Sequence, residues 1–109
     1  MTATVLQILR GARKLLVQPE AWTQGTECRD ANGCAVGVHA DADDIASRCL
    51  GRALYEAANR DFSASNAASV ALGLHDVPAW NDSPRRTHAQ VLRRLDRAIK
   101  RAEKEAEHD

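Results

Sequence analysis

Apolar residues recur every three or four positions along three long stretches of the sequence, which start near Val5, Ile45 and Val91. This spacing places them on one side of an α-helix, so that each stretch can bury one face and leave the other in water. Apolar residues make up 44% of the chain but aromatic residues only 4%, and much of the apolar share is alanine. Small aliphatic side chains favour close packing of helix against helix. The sequence therefore predicts a mainly α protein.

We predict four packed helices, whose bounds follow from local start and stop signals. Pro19 ends the first helix, because proline cannot continue a helical hydrogen-bond ladder. The acidic residues of 41–44 open the second, where they offer a cap and favourable charge at the positive end of the helix dipole. Gly73 closes the third, and Asp82 or Ser83 caps the last ahead of Pro84. The predicted ranges are 4–18, 41–59, 65–72 and 84–104, with a loop at 75–83.

One small β-hairpin is predicted between the first and second helices. The stretch 23–39 is rich in glycine, and its Asn32-Gly33 pair is a strong signal for a tight hairpin turn. A turn there pairs Cys28 with Val36 or Gly37. Because an isolated hairpin is marginal in water, we expect it to lie on the helical body.

The chain length predicts one domain over residues 1–109, with a polar last segment, 105–109, that frays. No run of residues resembles a secretory signal or approaches the roughly 20 apolar residues of a membrane span. Three cysteines are an odd number, which fits free thiols in a reducing compartment. We therefore expect a cytoplasmic protein without membrane partners.

Four residues form the single plausible metal-binding set in the sequence: Cys28, Cys34, His39 and Cys49. Zinc sites usually present two ligands that lie two to four residues apart, and these spacings are different. Cys49 also falls on the apolar face of the second helix, where a free cysteine behaves as a small hydrophobe. We expect no metal and no cofactor.

A polar cluster surrounds the predicted start of the last helix. As a functional site, it could hold a phosphate or carboxylate with backbone N–H groups and arginines. As a structural feature, it is ordinary helix capping by Asp82 or Ser83 with solvated arginines, and His88 faces the core. Capping explains most of these residues without a ligand. The candidate anion or ligand residues are Asn81, Asp82, Arg85, Arg86 and His88.

A basic face is predicted on the last helix, although positive and negative charges balance over the chain at 15 each. Residues 84–109 hold eight Lys or Arg against five Asp or Glu. Such a face can follow an acidic protein surface or a phosphate backbone, or it can simply be the solvated side of an amphipathic helix. Its candidate partner-binding residues are Arg93, Arg94, Arg97, Lys100, Arg101 and Lys104.

Four segments carry a resemblance to a known family: ARKLL, WTQG with the hairpin after it, ASRCLGRAL, and WNDSPRRTHAQVLRRLDRAI. Together they span most of the chain, from Ala12 to Ile99. With these segments the chain resembles a family of small uncharacterised bacterial and mobile-element proteins, a domain of unknown function. The resemblance implies no activity, so no residue inherits a catalytic role.

Three classes of function stay open. The first is a small interaction module that covers a protein partner's surface, in its most specific form a mobile-element inhibitor of a host defence system. It is favoured because no nucleophile–base pair and no glycine-rich phosphate loop stands out. The second is a nucleic-acid-associated regulator that uses the basic last helix. The third, less favoured, is an enzyme or ligand-binding protein centred on Asn81–His88, and the oligomeric state is left open.

Overall fold

The computed structural model describes residues 3–107, and the predicted mainly α fold is confirmed. It has five α-helices rather than four, because part of the predicted 75–83 loop is helical. Two short strands and two 3₁₀ turns complete it, the turns at Pro19–Ala21 and Ala42–Asp44. The helices are α1 (Val5–Leu15), α2 (Leu50–Ala57), α3 (Phe62–Ala71), α4 (Val77–Asn81) and α5 (His88–Glu107), and the strands are β1 (Cys28–Arg29) and β2 (Ser47–Arg48).

Helix α1 is the centre of the packing and contacts α2, α3 and α5. The predicted burial of α2 is correct, since Leu50 and Leu54 are completely buried. The backbones of α1 and α2 approach closely at Gly11, where a Cβ atom would lie 2.9 Å from the Cβ of Ala57. The core therefore depends on small residues at the helix crossing as well as on large ones. Its fully buried large aliphatic side chains are Ile8, Leu9, Leu16, Leu50, Leu54, Val91 and Leu95.

The predicted tight turn forms, and Gly33 adopts a positive φ of 83°. The Gly33 amide donates to the Asp30 carbonyl at 3.0 Å, and the Val36 amide donates to the Cys28 carbonyl at 3.2 Å. The pairing of Cys28 with Val36 is thus as predicted. Between the turn and the 3₁₀ turn at Ala42, the chain forms one isolated β-bridge, between Ala35 and Arg29, and no continuous strand.

The strand partner is a correction to the predicted hairpin. Strand β1 pairs antiparallel with β2, with Cys28 opposite Arg48 and Arg29 opposite Ser47. Residues 47 and 48 were assigned to the second helix, which instead begins at Leu50. The acids of 41–44 form a 3₁₀ turn, and Cys49 is the residue that caps α2, because its sulfur accepts from the Arg52 amide at 3.3 Å.

Helix α5 also begins later than predicted, at His88 rather than Pro84. Thr87 caps it through a reciprocal pair of hydrogen bonds with Gln90, of 3.0 and 3.2 Å. The helix continues to Glu107, so 105–107 are helical, while residues 108 and 109 lie outside the described range. The fraying of 105–109 stays a prediction.

Helices α1 and α5 are joined by apolar contacts on one side and by two ion pairs on the other. Arg13 pairs with Asp96, and Arg10 pairs with Glu103. Both pairs are solvent-exposed, so each contributes about 0.2–1 kcal/mol. They lie along the flank of α5 that faces α1.

Candidate functional site

Asn81 is completely buried and joins three segments of the chain. Its Oδ1 accepts from the Trp22 indole N–H at 2.7 Å and from the Leu50 amide at 3.0 Å. Its Nδ2 donates to the Thr23 carbonyl at 3.0 Å and to the Asp82 carboxylate at 2.9 Å. An asparagine amide has two donors and a carbonyl with two lone pairs, so all its capacity is used.

The segment after Asn81 is held by the 22–25 segment in the same way. The Gln24 side-chain amide donates to the Asn81 and Ser83 carbonyls at 2.8 and 2.9 Å. The Gly25 amide donates to the Asp82 carboxylate at 3.0 Å. The two tryptophan-containing segments, WTQG and WND, are therefore joined to each other by direct hydrogen bonds.

The remaining cluster residues have separate positions. Arg86 stacks on Trp80, with its guanidinium carbon 3.9 Å from the ring centroid, and donates to the Trp80 carbonyl at 2.9 Å. His88 Nε2 lies 2.6 Å from the carbonyl of Leu16, the residue that follows α1, and since a carbonyl can only accept, Nε2 is the donor. Arg85 is exposed and makes no hydrogen bond or ion pair within residues 3–107.

The predicted explanation of this cluster, capping of the last helix by Asp82 or Ser83, is wrong. Asp82 ends α4, and its carboxylate binds Gly25 and Asn81 rather than the first turn of α5. The polar groups instead tie loops to helices, with their donors and acceptors directed inward. His88 does lie on the inner side of α5, as predicted, half-buried beside Trp22.

The basic face of α5 divides into two parts. Arg94 is held to the body, because its Nε donates to the Leu72 carbonyl at 3.0 Å and its guanidinium lies 5.6 Å from the Trp80 ring. Arg101 lines a groove between α5, α3 and the start of α1. The others are exposed, lie on the side of α5 opposite the core, and make no ion pair with any residue from 3 to 107. We call them the outer stripe: Arg93, Arg97, Lys100 and Lys104.

A buried ion network lies between β2, α2 and the segment that precedes them. Glu56 Oε2 accepts from Arg48 Nε at 2.9 Å and from Arg52 Nε at 2.8 Å. The Arg52 side chain is 1% exposed and also donates to the Val38 and Ala40 carbonyls at 2.7 and 3.3 Å. Burial alone would raise the pKa of the Glu56 carboxyl, but the hydrogen bonds from Arg48 and Arg52 outweigh burial and lower that pKa.

The network holds the 38–42 segment against α2 and so closes one side of a cavity of about 500 Å³. Helices α2, α3 and α4 supply the other sides. Apolar and aromatic side chains share the lining with charged ones. Its chemically distinctive residues are Glu27, His39, Arg52, Tyr55, Arg60, Phe62, Asn66, His75 and Asp76.

The cysteines are free thiols, with Cys28 and Cys49 buried and Cys34 exposed. Burial raises the pKa of the Cys49 thiol, so it stays protonated and unreactive near neutral pH. No group of three or more His, Cys, Asp or Glu side chains in the described part of the chain could hold a metal ion. None of the helices described is long and apolar enough to span a membrane.

Comparison with protein families gives one result. The family model described as "Family of unknown function (DUF6197)" matches residues 1–101. The chain belongs to this family. Searches of curated proteins and of solved structures find no match. The matched range includes the four segments on which the family resemblance rested, among them WTQG and WNDSPRRTHAQVLRRLDRAI.

The cavity and the ion network of this DUF6197 protein were missed in the sequence. All three charged residues fall within the predicted second helix, 41–59, whereas Arg48 lies on β2, and the side chains of Arg48, Arg52 and Glu56 are at least nine-tenths buried. The usable signal was the i, i+4 spacing of Arg52 and Glu56. His39, His75 and Phe62 had no sequence pattern that connected them.

Proposed function

We propose that this DUF6197 protein is a small interaction module that binds an acidic surface of a protein partner through the outer stripe of α5. The proposal rests on the distribution of charged side chains on α5, where the two acids that pair with α1 face a different side from the stripe. Asp96 and Glu103, which adjoin stripe residues Arg97 and Lys104 in the sequence, pair with arginines of α1. Their charge is thus directed away from the stripe, whose four cations have no acidic partner among residues 3–107.

The stripe has a geometry that suits a docking surface. Its residues follow one another at intervals of four, three and four positions, which keeps them on one side of a helix over about 16 Å. Core residues Val91 and Leu95 fix the inner side of the same helix. The cations are therefore carried on a rigid support, which lowers the entropy lost on binding.

The contacts of the polar cluster argue against a catalytic site at 81–88. Asn81 has no spare hydrogen-bonding capacity, and Asp82, Arg86 and His88 each contact backbone groups of the protein itself. An enzyme site needs groups that are free to meet a substrate. This argument favours the interaction module over the enzyme centred on 81–88.

A nucleic acid is the second candidate partner, because a row of cations also fits phosphates. Helix α5 has no Phe, Tyr or Trp on which bases could stack. Trp80, a half-buried aromatic residue beside Arg94 of this helix, already stacks with Arg86. These two observations favour a protein partner.

The most specific form of the proposal is an inhibitor that acts by covering a component of a host defence system. Its support is the family resemblance, together with a small size that suits a stoichiometric binder. A bacterial or mobile-element origin and a cytoplasmic location belong to the same proposal. The free cysteines fit the location.

The test is a comparison of two charge-reversed variants. Arg93→Glu with Arg97→Glu reverses the stripe, and Lys14→Glu with Arg85→Glu reverses two exposed cations elsewhere by the same total charge. Nuclease-treated pull-downs from host extracts with each variant and the parent are compared by quantitative mass spectrometry. The partner found is then purified and its association rate measured at several salt concentrations.

We expect a partner that the parent and the control retain and the stripe variant loses, with the loss mainly in the association rate. Binding of the parent to random-sequence duplex DNA, with an affinity that falls steeply with salt, would favour the nucleic-acid alternative. If the stripe variant retains every partner that the parent retains, the stripe is only a solvated face.

A further inference from the structure

We propose that the cavity between α2, α3, α4 and the 38–40 segment binds a small molecule that joins a planar aromatic ring to an anionic group. This site is separate from α5 and does not depend on the interaction partner. The volume of about 500 Å³ lies within the usual range for small-molecule sites. Three features of the lining define the ligand: an aromatic surface, an available cation and a fixed wall.

The aromatic surface is formed by Tyr55 and Phe62. Their rings meet edge to face, with centroids 6.4 Å apart and planes at 66°. Phe62 is 79% exposed, the most exposed large hydrophobic residue in the described chain, and nothing within that chain covers it. An exposed aromatic ring at the rim of a cavity gains contact area when a flat ring lies against it, so the surface favours an aromatic ligand.

Arg60 is the available cation. Its Nη2 donates to the Ala40 carbonyl at 2.9 Å, and it forms no ion pair within residues 3–107, so most of its guanidinium donors are open to a ligand. The other lining charges already have protein partners. Arg52 is paired with Glu56 and with Glu27 at 3.6 Å, and the Asp76 carboxylate accepts from the Ala79 amide at 3.0 Å. An anionic group is therefore the complement that Arg60 lacks.

The backbone at Arg60 is strained, and Arg60 lines the cavity. Asn59 and Arg60 have positive φ values of 56° and 63°, which residues with side chains rarely adopt. Two such residues in succession turn the chain sharply from α2 into α3. Backbone strain of this kind is concentrated at ligand sites, where it fixes the position of a functional side chain.

The facing wall is fixed by the ion network. Arg52 and Arg60 together hold the Val38 and Ala40 carbonyls, which places Val38 and His39 along the cavity. A buried Arg–Glu–Arg arrangement is weak evidence for stability, because desolvation of the charges offsets their attraction. Its consequence here is a preformed wall, and a preformed wall lowers the entropy that a ligand loses on binding.

Asn66 and Ser65 supply polar contacts along the α3 side. Neither side chain makes a hydrogen bond within residues 3–107, although both line the cavity. An amide and a hydroxyl can each donate and accept, so they suit the edge of a heteroaromatic ring or a phenolic hydroxyl. Two sources share this ligand chemistry, a nucleoside monophosphate and an aromatic carboxylate.

Titrations followed by amide chemical shifts of the ¹⁵N-labelled full chain test the proposal. The probes are adenosine monophosphate and 4-hydroxybenzoate, each compared with its uncharged parent, adenosine or phenol, and inorganic phosphate is a further control. We expect saturable shifts in 38–40, 51–55 and 60–69 with at least one charged aromatic probe. Its uncharged parent should bind about ten-fold more weakly, the scale of one charge-assisted hydrogen bond.

Three variants separate binding from folding. Arg60→Gln should reduce the affinity of the charged probe to that of its parent, while Arg60→Lys, which keeps the charge, should retain part of the difference. Phe62→Ala should weaken both members of a pair, and Arg97→Gln on α5 should change neither.

The identity of the probe that binds distinguishes the two sources, and either result supports the site. The proposal is overturned if no aromatic probe gives saturable shifts in the cavity at about 10 mM, beyond the weakest affinities of interest. It is also overturned if inorganic phosphate alone reproduces them, or if Arg60→Gln binds a charged probe as the parent does.

Discussion

Asn81→Ala removes the side chain on which the 22–23 segment, the start of α2 and the end of α4 converge. The change deletes four hydrogen bonds of 2.7–3.0 Å. It creates no steric clash, because alanine is smaller and tolerated in a helix. Any loss of stability therefore reports the hydrogen bonds and the small cavity left behind.

The expected magnitude follows from the environment of each partner. A typical hydrogen bond contributes about 0.5–1.5 kcal/mol net, and a buried donor left without an acceptor costs about 1–3 kcal/mol. The Leu50 amide is fully buried, whereas Trp22 and Thr23 are half-buried and water can replace part of what they lose. We therefore expect a loss of about 2–4 kcal/mol in the free energy of unfolding. For a chain of this size the melting temperature should fall by roughly 10–25 °C.

Urea denaturation followed by tryptophan fluorescence and far-UV circular dichroism measures the effect, with Trp22 as a direct reporter of the lost contact. Asn66→Ala is the matched control, because Asn66 is exposed and unbonded on α3. The control should stay within about 0.5 kcal/mol of the parent. If Asn81→Ala is equally neutral, the amide is dispensable to the fold. The ligand hypothesis for 81–88 then returns.

Two further changes test the ion network and the helix crossing. The folded-state pKa of Glu56 is lowered, so the ionised carboxylate contributes fully to stability above the ordinary pKa of 4.5, and this contribution is lost as the pH falls through the lowered pKa. The urea midpoint of the parent should therefore drop in acid. The midpoint of Glu56→Gln should drop less. Gly11→Ala places a Cβ 2.9 Å from that of Ala57, so despite better helix propensity it should lower stability by about 1–3 kcal/mol in thermal melts, with recovery in the double variant that adds Ala57→Gly. If the difference in stability between the parent and Glu56→Gln does not change with pH, the ion network does not contribute as described. If Gly11→Ala is more stable than the parent, the helices are not in close contact at Gly11.

The long amphipathic helices were predictable because burial of one face dominates their energetics. The buried residues of α1, α2 and α5 follow the three- and four-residue spacing. Short elements were harder, because a few hydrogen bonds decide them. Asp76 and Pro78 give α4 the same kind of start signal that was assigned to Asp82 and Pro84. Which of the two similar signals starts a helix depends on tertiary partners.

The candidate site shows the same limit. The sequence drew attention to the 81–88 cluster, but three of the partners of these residues, Trp22, Gln24 and Leu16, lie more than 55 residues away in sequence. No local pattern reveals such a connection. The cavity was missed because its walls come from four separate elements. The role of the outer stripe stays a prediction.

The attachment of α5 to α1 has a consequence for how the chain acquires its fold. The Arg10–Glu103 and Arg13–Asp96 contacts span 93 and 83 residues, nearly the whole sequence. Helical proteins usually fold quickly because their contacts are local, and loops of this length slow the search. During synthesis α1 is made first but can bury its apolar face completely only once α5 has left the ribosome. We therefore expect the nascent chain to expose that face until the last helix emerges, an interval in which chaperones compete with folding.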